Sequence, residues 1–247
     1  MQINDGVQKT EGELHAFLMI GQSNMAGRGE FSHVEPINNK LCYMLRMGRW
    51  QKMSEPINPD RPVLEGAFHS GVSLAASFAD AYATERGVKT GLIPCADGGT
   101  KISQWMPGEI LYDHAVMQCG LARRTSVIKG ILWHQGESDC KNDDTVAAYK
   151  GKLITMMTAL RRDLGDETLP ILIGELSERI DPKWERGDRP ARLNRIFAEI
   201  ARELPDCTVV SSAGLSMKPD GIHFDAPACR EFGKRYYKAY TLLCGED

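Results

Sequence analysis

The chain lacks the features that mark a membrane protein or a nucleic-acid-binding protein. Its apolar runs are far too short to span a bilayer, and it has no run of lysine and arginine that would attract phosphate groups. The formal net charge of the 247 residues is -3, with acidic and basic residues spread along the chain. We therefore expect neither a membrane nor a nucleic acid as a partner.

The chain also lacks a recognisable secretory signal, because no basic segment followed by an apolar one occurs near its N-terminus. Its seven cysteines are scattered and include no CxxC pair. An odd number of scattered cysteines disfavours both a disulfide framework and a thiolate metal site, so free thiols in a reducing compartment are the simpler interpretation. These absences predict a cytoplasmic protein, although a leader removed earlier would leave the same N-terminus.

What the chain does contain is an alternation of short apolar runs with longer stretches of helical periodicity. Strands are predicted at residues 15–20, 41–45, 90–96, 127–133, 169–174 and 207–210, with a short edge strand after a turn at 48–50. Helices are predicted from residue 73 to a stop at residue 87, and at 110–124, 145–164, 190–204 and 226–243. This order predicts an α/β protein with right-handed crossovers and a mainly parallel sheet covered on both faces.

No repeat or linker interrupts this pattern, so residues 1–247 are predicted to form a single domain. Residues 30–71 form a long irregular region rich in proline, asparagine and glycine. Ordering such a long loop costs conformational entropy, so we expect it to be functional, either as a wall of a substrate cleft or as an interface. The sequence leaves the oligomeric state open, and a homo-oligomer is one arrangement that it allows.

Four polar motifs each follow a predicted strand. They are GQSNMAGRG from Gly21, DGGT from Asp97, HQGESD from His134 and PDGIHFD from Pro219. The carboxyl ends of parallel strands lie along one edge of a sheet, and ligand sites of open α/β sheets form there. We therefore expect the four loops to converge on one site.

Three side chains in these loops have the types required for acyl transfer. Ser23 is the candidate nucleophile, His223 the general base and Asp220 the acid that orients the histidine. Histidine suits the role of the base because its unperturbed pKa is about 6.5. Taken alone, Asp220 and His223 could equally form a turn and pack against the core, because a D-x-x-H spacing is weakly specific. Together with the Ser23 motif, the catalytic interpretation is favoured.

An ester-cleaving site also needs hydrogen-bond donors for the developing oxyanion. The candidates are the backbone N–H of Ser23, a backbone N–H of Gly98 or Gly99, and the side-chain amide of Gln135. Glycine lets the backbone approach a substrate closely, although two adjacent glycines are also typical of a simple turn. Gln135 has an alternative role as well, because an amide at the end of a strand often satisfies loop carbonyl groups.

The third motif contains residue types that bind metals, namely His134, Glu137 and Asp139. However, the H-E-x-x-H order of zinc hydrolases is absent, and these residues leave a strand rather than share a helix face. We therefore predict no metal. Glu137 and Asp139 are instead expected to brace the loop through backbone N–H groups, or to bond Gln22 and Asn24 beside the candidate nucleophile.

Two further side chains are candidate substrate contacts. Arg28 follows the serine motif and could meet a hydroxyl or carboxylate of a substrate, or form a salt bridge within the loop. Trp105 follows the DGGT motif and offers an aromatic face for stacking on a sugar, or alternatively a cover for the edge of the sheet.

Together, the blocks GQSNMAGRG, DGGT, WHQGESD and DGIHFD resemble the SGNH-hydrolase superfamily. More closely, they resemble its sialate O-acetylesterase and acetylxylan-esterase-related branch, carbohydrate esterase family 6. The likeness extends from residue 21 to about residue 225, with the blocks in the expected order, and the first and third blocks are the specific ones. In contrast, Met25 stands where the G-x-S-x-G elbow of α/β-hydrolases has its second glycine, which argues against that fold.

The resemblance implies a flavodoxin-like three-layer α/β/α sandwich and no metal or organic cofactor. It implies Ser23 as nucleophile, His223 as base and Asp220 as its partner, with Gly98 or Gly99 donating an N–H to the oxyanion. The third block of the superfamily usually carries an asparagine, and Gln135 stands at that position, as it does in this branch.

These observations predict a serine O-acetylesterase that acts on acetylated sugars. One alternative keeps the serine chemistry on a lipid, a thioester or another small acyl ester. A second alternative is a carbohydrate-binding or scaffold protein without turnover. The sequence does not identify the sugar or the position of its acetyl group.

Overall fold

The computed structural model describes residues 13–59 and 69–245 of the chain. In this part of the chain, seven strands form one sheet in the spatial order β3-β2-β4-β1-β5-β6-β7. The strands are β1 (Leu14–Gly21), β2 (Cys42–Arg46), β3 (Arg49–Lys52), β4 (Lys89–Pro94), β5 (Val127–His134), β6 (Ile171–Gly174) and β7 (Cys207–Val210). Neighbouring strands are parallel except β3, which is antiparallel to β2. The predicted mainly parallel sheet is confirmed.

The α-helices of the described residues each follow a strand along the chain, and three of them begin at a residue whose side chain accepts a backbone N–H of the first turn. They are α1 (Ser23–Ala26), α2 (Leu74–Arg86), α3 (Ile110–Ala122), α4 (Asp143–Asp163), α5 (Arg189–Glu203) and α6 (Ala226–Cys244). The hydroxyl of Ser73 accepts the N–H of Ala75 at 3.2 Å, and Gly87 ends α2, as predicted. Asn142 accepts the N–H of Thr145 at 2.9 Å, so α4 begins two residues before its predicted start.

Alternation along β1 produces the three layers. Leu18 and Ile20 point to one face of the sheet, where they pack in a cluster with residues of α3, α4 and α5. Phe17 and Met19 point to the other face, where they pack with residues of α1, α2 and α6. A strand covered on both faces needs apolar side chains at every position, which explains the unbroken apolar run of β1. The α/β/α sandwich implied by the sequence is confirmed.

The irregular region after the first motif contains the strand and the short edge strand that were predicted within it, and a 3-10 helix that was not. It begins with a 3-10 helix (Phe31–His33) and continues into the β2–β3 hairpin, which forms one edge of the sheet. The predicted strand at 41–45 is observed one residue later in the chain. Residues 60–68 of this region lie outside the described residues.

All seven cysteines are described and are free thiols, and six of them are buried. Burial raises the pKa of the Cys42 and Cys207 thiols to about 12. Within residues 13–59 and 69–245, we find no helix whose length and apolar character would let it traverse a bilayer.

The sheet order decides which loops can meet. Because β1 is the central strand and is flanked by β4 and β5, the first three motifs leave adjacent strands on the same edge. The fourth motif follows β7, the last strand of the sheet, so its loop must return across β6 and β5 to reach β1.

Candidate active site

Ser23 is held at the end of the central strand by contacts between β1 and β5. Gly21 pairs with His134, and a Cβ at Gly21 would lie 2.1 Å from the carbonyl oxygen of His134, so only glycine fits there. The N–H of Gln22 donates to the same carbonyl at 2.9 Å. The chain then turns into α1, and Ser23 is its first residue rather than part of a simple turn.

The loop after β7 brings its histidine to this serine. The Nε2 atom of His223 lies 2.9 Å from Oγ of Ser23, and its Nδ1 atom lies 2.9 Å from Oδ2 of Asp220. The second oxygen of Asp220 accepts the N–H groups of Ile222 and His223, each at 3.0 Å. The structure thus assembles the three side chains into one continuous hydrogen-bonded chain.

Electrostatic interactions keep the carboxylate of Asp220 ionised. Partial burial tends to raise the pKa of Asp220, but the hydrogen bonds from Ile222 and His223 outweigh it, so the net pKa lies below 3.8. An ionised Asp220 fixes a proton on Nδ1 of His223 and leaves Nε2 able to accept the hydroxyl proton of Ser23.

Asn24 connects the serine turn to the histidine loop. Its Nδ2 atom donates to Oε1 of Glu137 at 2.5 Å and to the carbonyl of Ile222 at 3.2 Å. Its Oδ1 atom accepts the N–H of Phe224 at 3.1 Å. Ile222 and Phe224 flank His223 in the chain, so one buried side chain next to the serine holds both neighbours of the histidine.

The predicted bond between Glu137 and Asn24 is observed. Glu137 is 2% exposed, and its Oε1 atom also lies 3.6 Å from Nδ1 of His134. Burial lowers the pKa of His134 below 6.5, so its ring is neutral near pH 7. Among residues 13–59 and 69–245, no group of three or more histidine, cysteine, aspartate or glutamate side chains is arranged to hold a metal ion.

Gln135 does not lie where the oxyanion prediction requires. Its side chain is fully buried, and Nε2 donates to Asp139 at 2.6 Å, to the carbonyl of Thr100 at 2.8 Å and to Gln22 at 3.1 Å. Its Oε1 atom accepts the hydroxyl of Tyr149 at 2.7 Å, which fixes the orientation of the amide. The prediction of a side-chain oxyanion donor is wrong, because interior acceptors occupy both N–H groups. The alternative, an amide that satisfies loop carbonyls, is observed.

The expected bracing roles of Gln22 and Asp139 are present in the same network. The Oε1 atom of Gln22 accepts from Gln135 and from the N–H of Ser138 at 3.3 Å. Asp139 accepts the N–H of Ile102 at 3.0 Å. The second and third loops are therefore tied to the serine turn through buried polar side chains.

The two glycines of the second loop differ in their surroundings. A Cβ at Gly98 would lie 3.7 Å from Cβ of Ser23 and 2.5 Å from a terminal nitrogen of Arg28. Gly99 has a φ of 78° and would have no neighbour within 4 Å. Gly98 is therefore the glycine beside the serine, and Gly99 forms the turn.

Arg28 lies against the serine turn. Its NH1 atom donates to the carbonyl of Gly27 at 2.7 Å and lies 3.5 Å from the carbonyl oxygen of Ser23. Its side chain is half-buried. The guanidinium therefore brings a positive charge close to the candidate nucleophile.

Trp105 belongs to the core. It is 1% exposed, its ring packs edge-on against Trp133 with centroids 5.6 Å apart, and its Nε1 atom donates to Thr100 at 3.1 Å. The prediction that it stacks on a sugar is wrong, because the ring has no free face. The alternative role as a cover for the sheet is observed.

Two residues beside the site had no role in the sequence-based prediction. Trp184 donates its Nε1–H to the carbonyl of Asp220 at 2.8 Å, and Arg186 donates from Nε to the carbonyl of Glu137 at 3.0 Å. Both belong to the segment after β6, whose carboxyl end faces the same edge of the sheet as the four motifs. Their position after the carboxyl end of a strand was the feature of the sequence that could have identified these two residues.

Comparisons with known proteins assign the chain to a family of carbohydrate esterases. A family model described as "Carbohydrate esterase, sialic acid-specific acetylesterase" matches residues 13–242. A probable carbohydrate esterase of Arabidopsis thaliana, At4g34215, is 29% identical over 247 residues, covering 91% of this chain and 89% of that protein. The X-ray structure of that Arabidopsis protein superposes with a TM-score of 0.80 at 27% identity, covering 92% of this chain and 98% of the other.

More distant structures share the fold. NanS superposes with a TM-score of 0.76 at 16% identity, covering 95% of this chain and 98% of its own. A carbohydrate acetylesterase from Xanthomonas citri, XAC1771, gives a TM-score of 0.63 at 19% identity, covering 96% of this chain and 57% of its own. Because the family match spans nearly all of the described residues, the chain belongs to the family described as "Carbohydrate esterase, sialic acid-specific acetylesterase".

Proposed function

We propose that this protein is a serine O-acetylesterase that removes acetyl groups from acetylated sugars through an acetyl-enzyme intermediate. The observation that carries the proposal is the chain of hydrogen bonds from Ser23 through His223 to Asp220, with both links at 2.9 Å. Nucleophile, base and orienting acid are already within hydrogen-bond distance of one another.

In the first half of the reaction, Oγ of Ser23 attacks the acetyl carbonyl carbon while Nε2 of His223 takes the hydroxyl proton. The imidazolium is stabilised by Asp220, whose lowered pKa keeps it anionic. When the tetrahedral intermediate collapses, the bond to the sugar oxygen breaks and His223 gives its proton to that oxygen. The products of this half are an acetylated Ser23 and the free sugar hydroxyl.

Backbone N–H groups supply the oxyanion donors in this mechanism. Ser23 is the first residue of α1, so its own N–H has no acceptor within that helix. Gly98 lies directly beside Ser23, so we assign the second donor to Gly98 rather than Gly99. Gln135 does not contact the oxyanion in this mechanism. It supports the loop of Gly98 by donating to the carbonyl of Thr100.

In the second half, a water molecule attacks the acetyl carbon while His223 takes one of its protons. Collapse of the second tetrahedral intermediate breaks the bond to Oγ of Ser23, which regains its proton from His223, and releases acetic acid, which ionises to acetate in water. Both halves balance with water as the only co-substrate. The family match and the carbohydrate esterases among its relatives support a sugar as the alcohol component.

The test is acetate release from O-acetylated sialic acid and from acetylated xylo-oligosaccharides, measured with EDTA present. Wild type should release acetate, and Ser23→Ala should lower kcat by about 10⁴- to 10⁶-fold, as loss of a nucleophile does in other serine hydrolases. A fluorophosphonate probe should label wild type and leave Ser23→Ala unlabelled.

Ser126→Ala is the matched control. Ser126 lies just before β5, at the amino ends of the strands and therefore opposite the site. Its hydroxyl bonds only the carbonyl of Ala122 among the described residues. This variant should keep full activity. Esterase turnover that survives in Ser23→Ala would contradict the mechanism, and a preference for long acyl chains in a p-nitrophenyl ester series would contradict the substrate.

A further inference from the structure

The chain contains four tryptophans, and their exposures differ sharply. Trp133, Trp105 and Trp50 are 0%, 1% and 8% exposed, whereas Trp184 is 37% exposed. An indole that stays partly exposed beside a catalytic loop keeps apolar surface that a ligand could cover.

The segment that carries Trp184 packs directly on the loop of the catalytic histidine. Trp184 ends a 3-10 helix (Pro182–Trp184), and Asp181 caps this helix by accepting the N–H of Lys183 at 2.9 Å. The N–H of Asp181 donates to the carbonyl of Gly221 at 2.8 Å. A Cβ at Gly221 would lie 2.3 Å from Cβ of Asp181, so this close packing requires glycine.

Two further bonds fix the indole and the end of its helix. The Nε1–H of Trp184 donates to the carbonyl of Asp220 at 2.8 Å. Arg186 is 7% exposed and donates to the carbonyl of Trp184 at 2.6 Å and to the carbonyl of Glu137 at 3.0 Å. The indole nitrogen is thus hydrogen-bonded to the carbonyl of Asp220, the residue before Gly221 in the histidine loop. This bond holds the ring beside the site.

We propose that Trp184 is the platform on which the sugar ring of the substrate stacks, an assignment that rests on the proposed esterase function. A pyranose ring has an apolar face of C–H groups, and covering it with an indole removes apolar surface of both from water. The bond from Nε1 to Asp220 satisfies the polar edge of the indole, which leaves its apolar surface for the ligand. The sugar is held on the Asp220 side of the site while its acetyl group lies at Ser23.

The first experiment compares two acetyl esters, an O-acetylated sugar and ethyl acetate, which has no ring to stack. Trp184→Ala should lower kcat/KM for the sugar ester about tenfold more than it lowers kcat/KM for ethyl acetate, a difference equivalent to about 1.4 kcal/mol. Trp184→Phe keeps an aromatic face but loses the bond to Asp220, and it should stay close to wild type on both esters. Ile110→Ala, which truncates a 57% exposed side chain on α3, should change neither.

An equal loss on both esters in Trp184→Ala, or the same loss in Trp184→Phe, would overturn the proposal, because the ring would then act only by holding the loop. Failure of the esterase function itself would look different, since wild type would release no acetate from any sugar ester. If Trp184→Ala released acetate from the sugar ester as fast as wild type, the esterase function would be supported and the stacking role of Trp184 would be refuted.

The second experiment measures binding without turnover in Ser23→Ala. Since Trp184 is the tryptophan that solvent reaches most, acrylamide quenching of tryptophan fluorescence reports mainly on its accessibility. N-acetylneuraminic acid or xylotriose should reduce the quenching, and Trp184→Phe in the same background should abolish that protection. Quenching that neither sugar alters would overturn the proposal.

Discussion

Replacing Asn24 by alanine should slow catalysis as well as destabilise the fold. Asn24 does not belong to the Ser23–His223–Asp220 chain, but its side chain bonds both residues that flank His223 as well as Glu137. Removing the amide releases the histidine loop from the serine turn. We therefore classify Asn24 as a positioning residue and expect its replacement by alanine to lower kcat.

The magnitude follows from the groups that are left unpaired. The variant deprives three buried partners of their bonds, namely the Glu137 carboxylate, the Ile222 carbonyl and the Phe224 N–H. At the lower end of about 1 kcal/mol for each unsatisfied group, the free energy of unfolding should fall by about 3 kcal/mol. A shift of His223 by about 1 Å relative to Ser23 should lower kcat by about 10²-fold.

The assay measures kcat and KM on an acetyl ester, and the free energy of unfolding in urea, at a temperature at which circular dichroism shows the variant folded. Asn194→Ala is the matched control, because Asn194 is a buried asparagine that bonds the N–H and carbonyl of Leu176 at 2.9 and 3.0 Å. The carbonyl of Leu176 keeps the hydroxyl of Ser212 at 3.0 Å, so only the N–H of Leu176 loses its acceptor. Asn194→Ala should therefore lose about 1 kcal/mol of stability and keep its kcat.

A double variant separates positioning from general loosening. If Asn24 acts through His223, then Asn24→Ala combined with His223→Ala should be no slower than His223→Ala alone. Losses that multiply, or a kcat that is unchanged in Asn24→Ala despite the lower stability, would refute the reasoning.

Two predictions concern buried aromatic and imidazole side chains. Trp105→Ala should lower the free energy of unfolding by about 3–5 kcal/mol, because it opens a cavity against Trp133. Trp184→Ala should change the free energy of unfolding little. A Trp105→Ala variant that is stable but binds sugar more weakly would show that Trp105, not Trp184, contacts the sugar. Burial lowers the pKa of His134 below 6.5, so as pH falls through 6.5 the unfolded chain gains a proton that the folded chain does not, and stability should fall by up to about 1.4 kcal/mol per pH unit. Urea titrations at several pH values should show a shallower fall for His134→Gln, and an identical slope would contradict the assignment.

The sequence predicted the site where local chemistry and strand order were sufficient. Ser23, Asp220 and His223 stand in loops that follow strands, and each has a side-chain type that suits one step of acyl transfer. Of the two roles predicted for Glu137, the bond to Asn24 is the one observed, because a parallel sheet brings the loops of both residues to one edge.

The sequence failed where the answer depended on which side of a loop faces the interior. Gln135 and Trp105 both follow strands at the correct edge, yet each is turned inward, towards Tyr149 and Trp133. Those partners are supplied by α4 and β5, and nothing within the two motifs encodes their positions.

By itself, the sequence determined the alternation of strands and helices, the parallel sheet and the order of the four blocks, because periodicity and turn chemistry are local properties of the chain. Only the tertiary structure decided that Gly98 rather than Gly99 lies beside Ser23, and that Trp184 rather than Trp105 is the exposed indole. Both outcomes depend on how segments far apart in the chain pack together. Exposure and proximity are properties of that packing, and no single motif carries them.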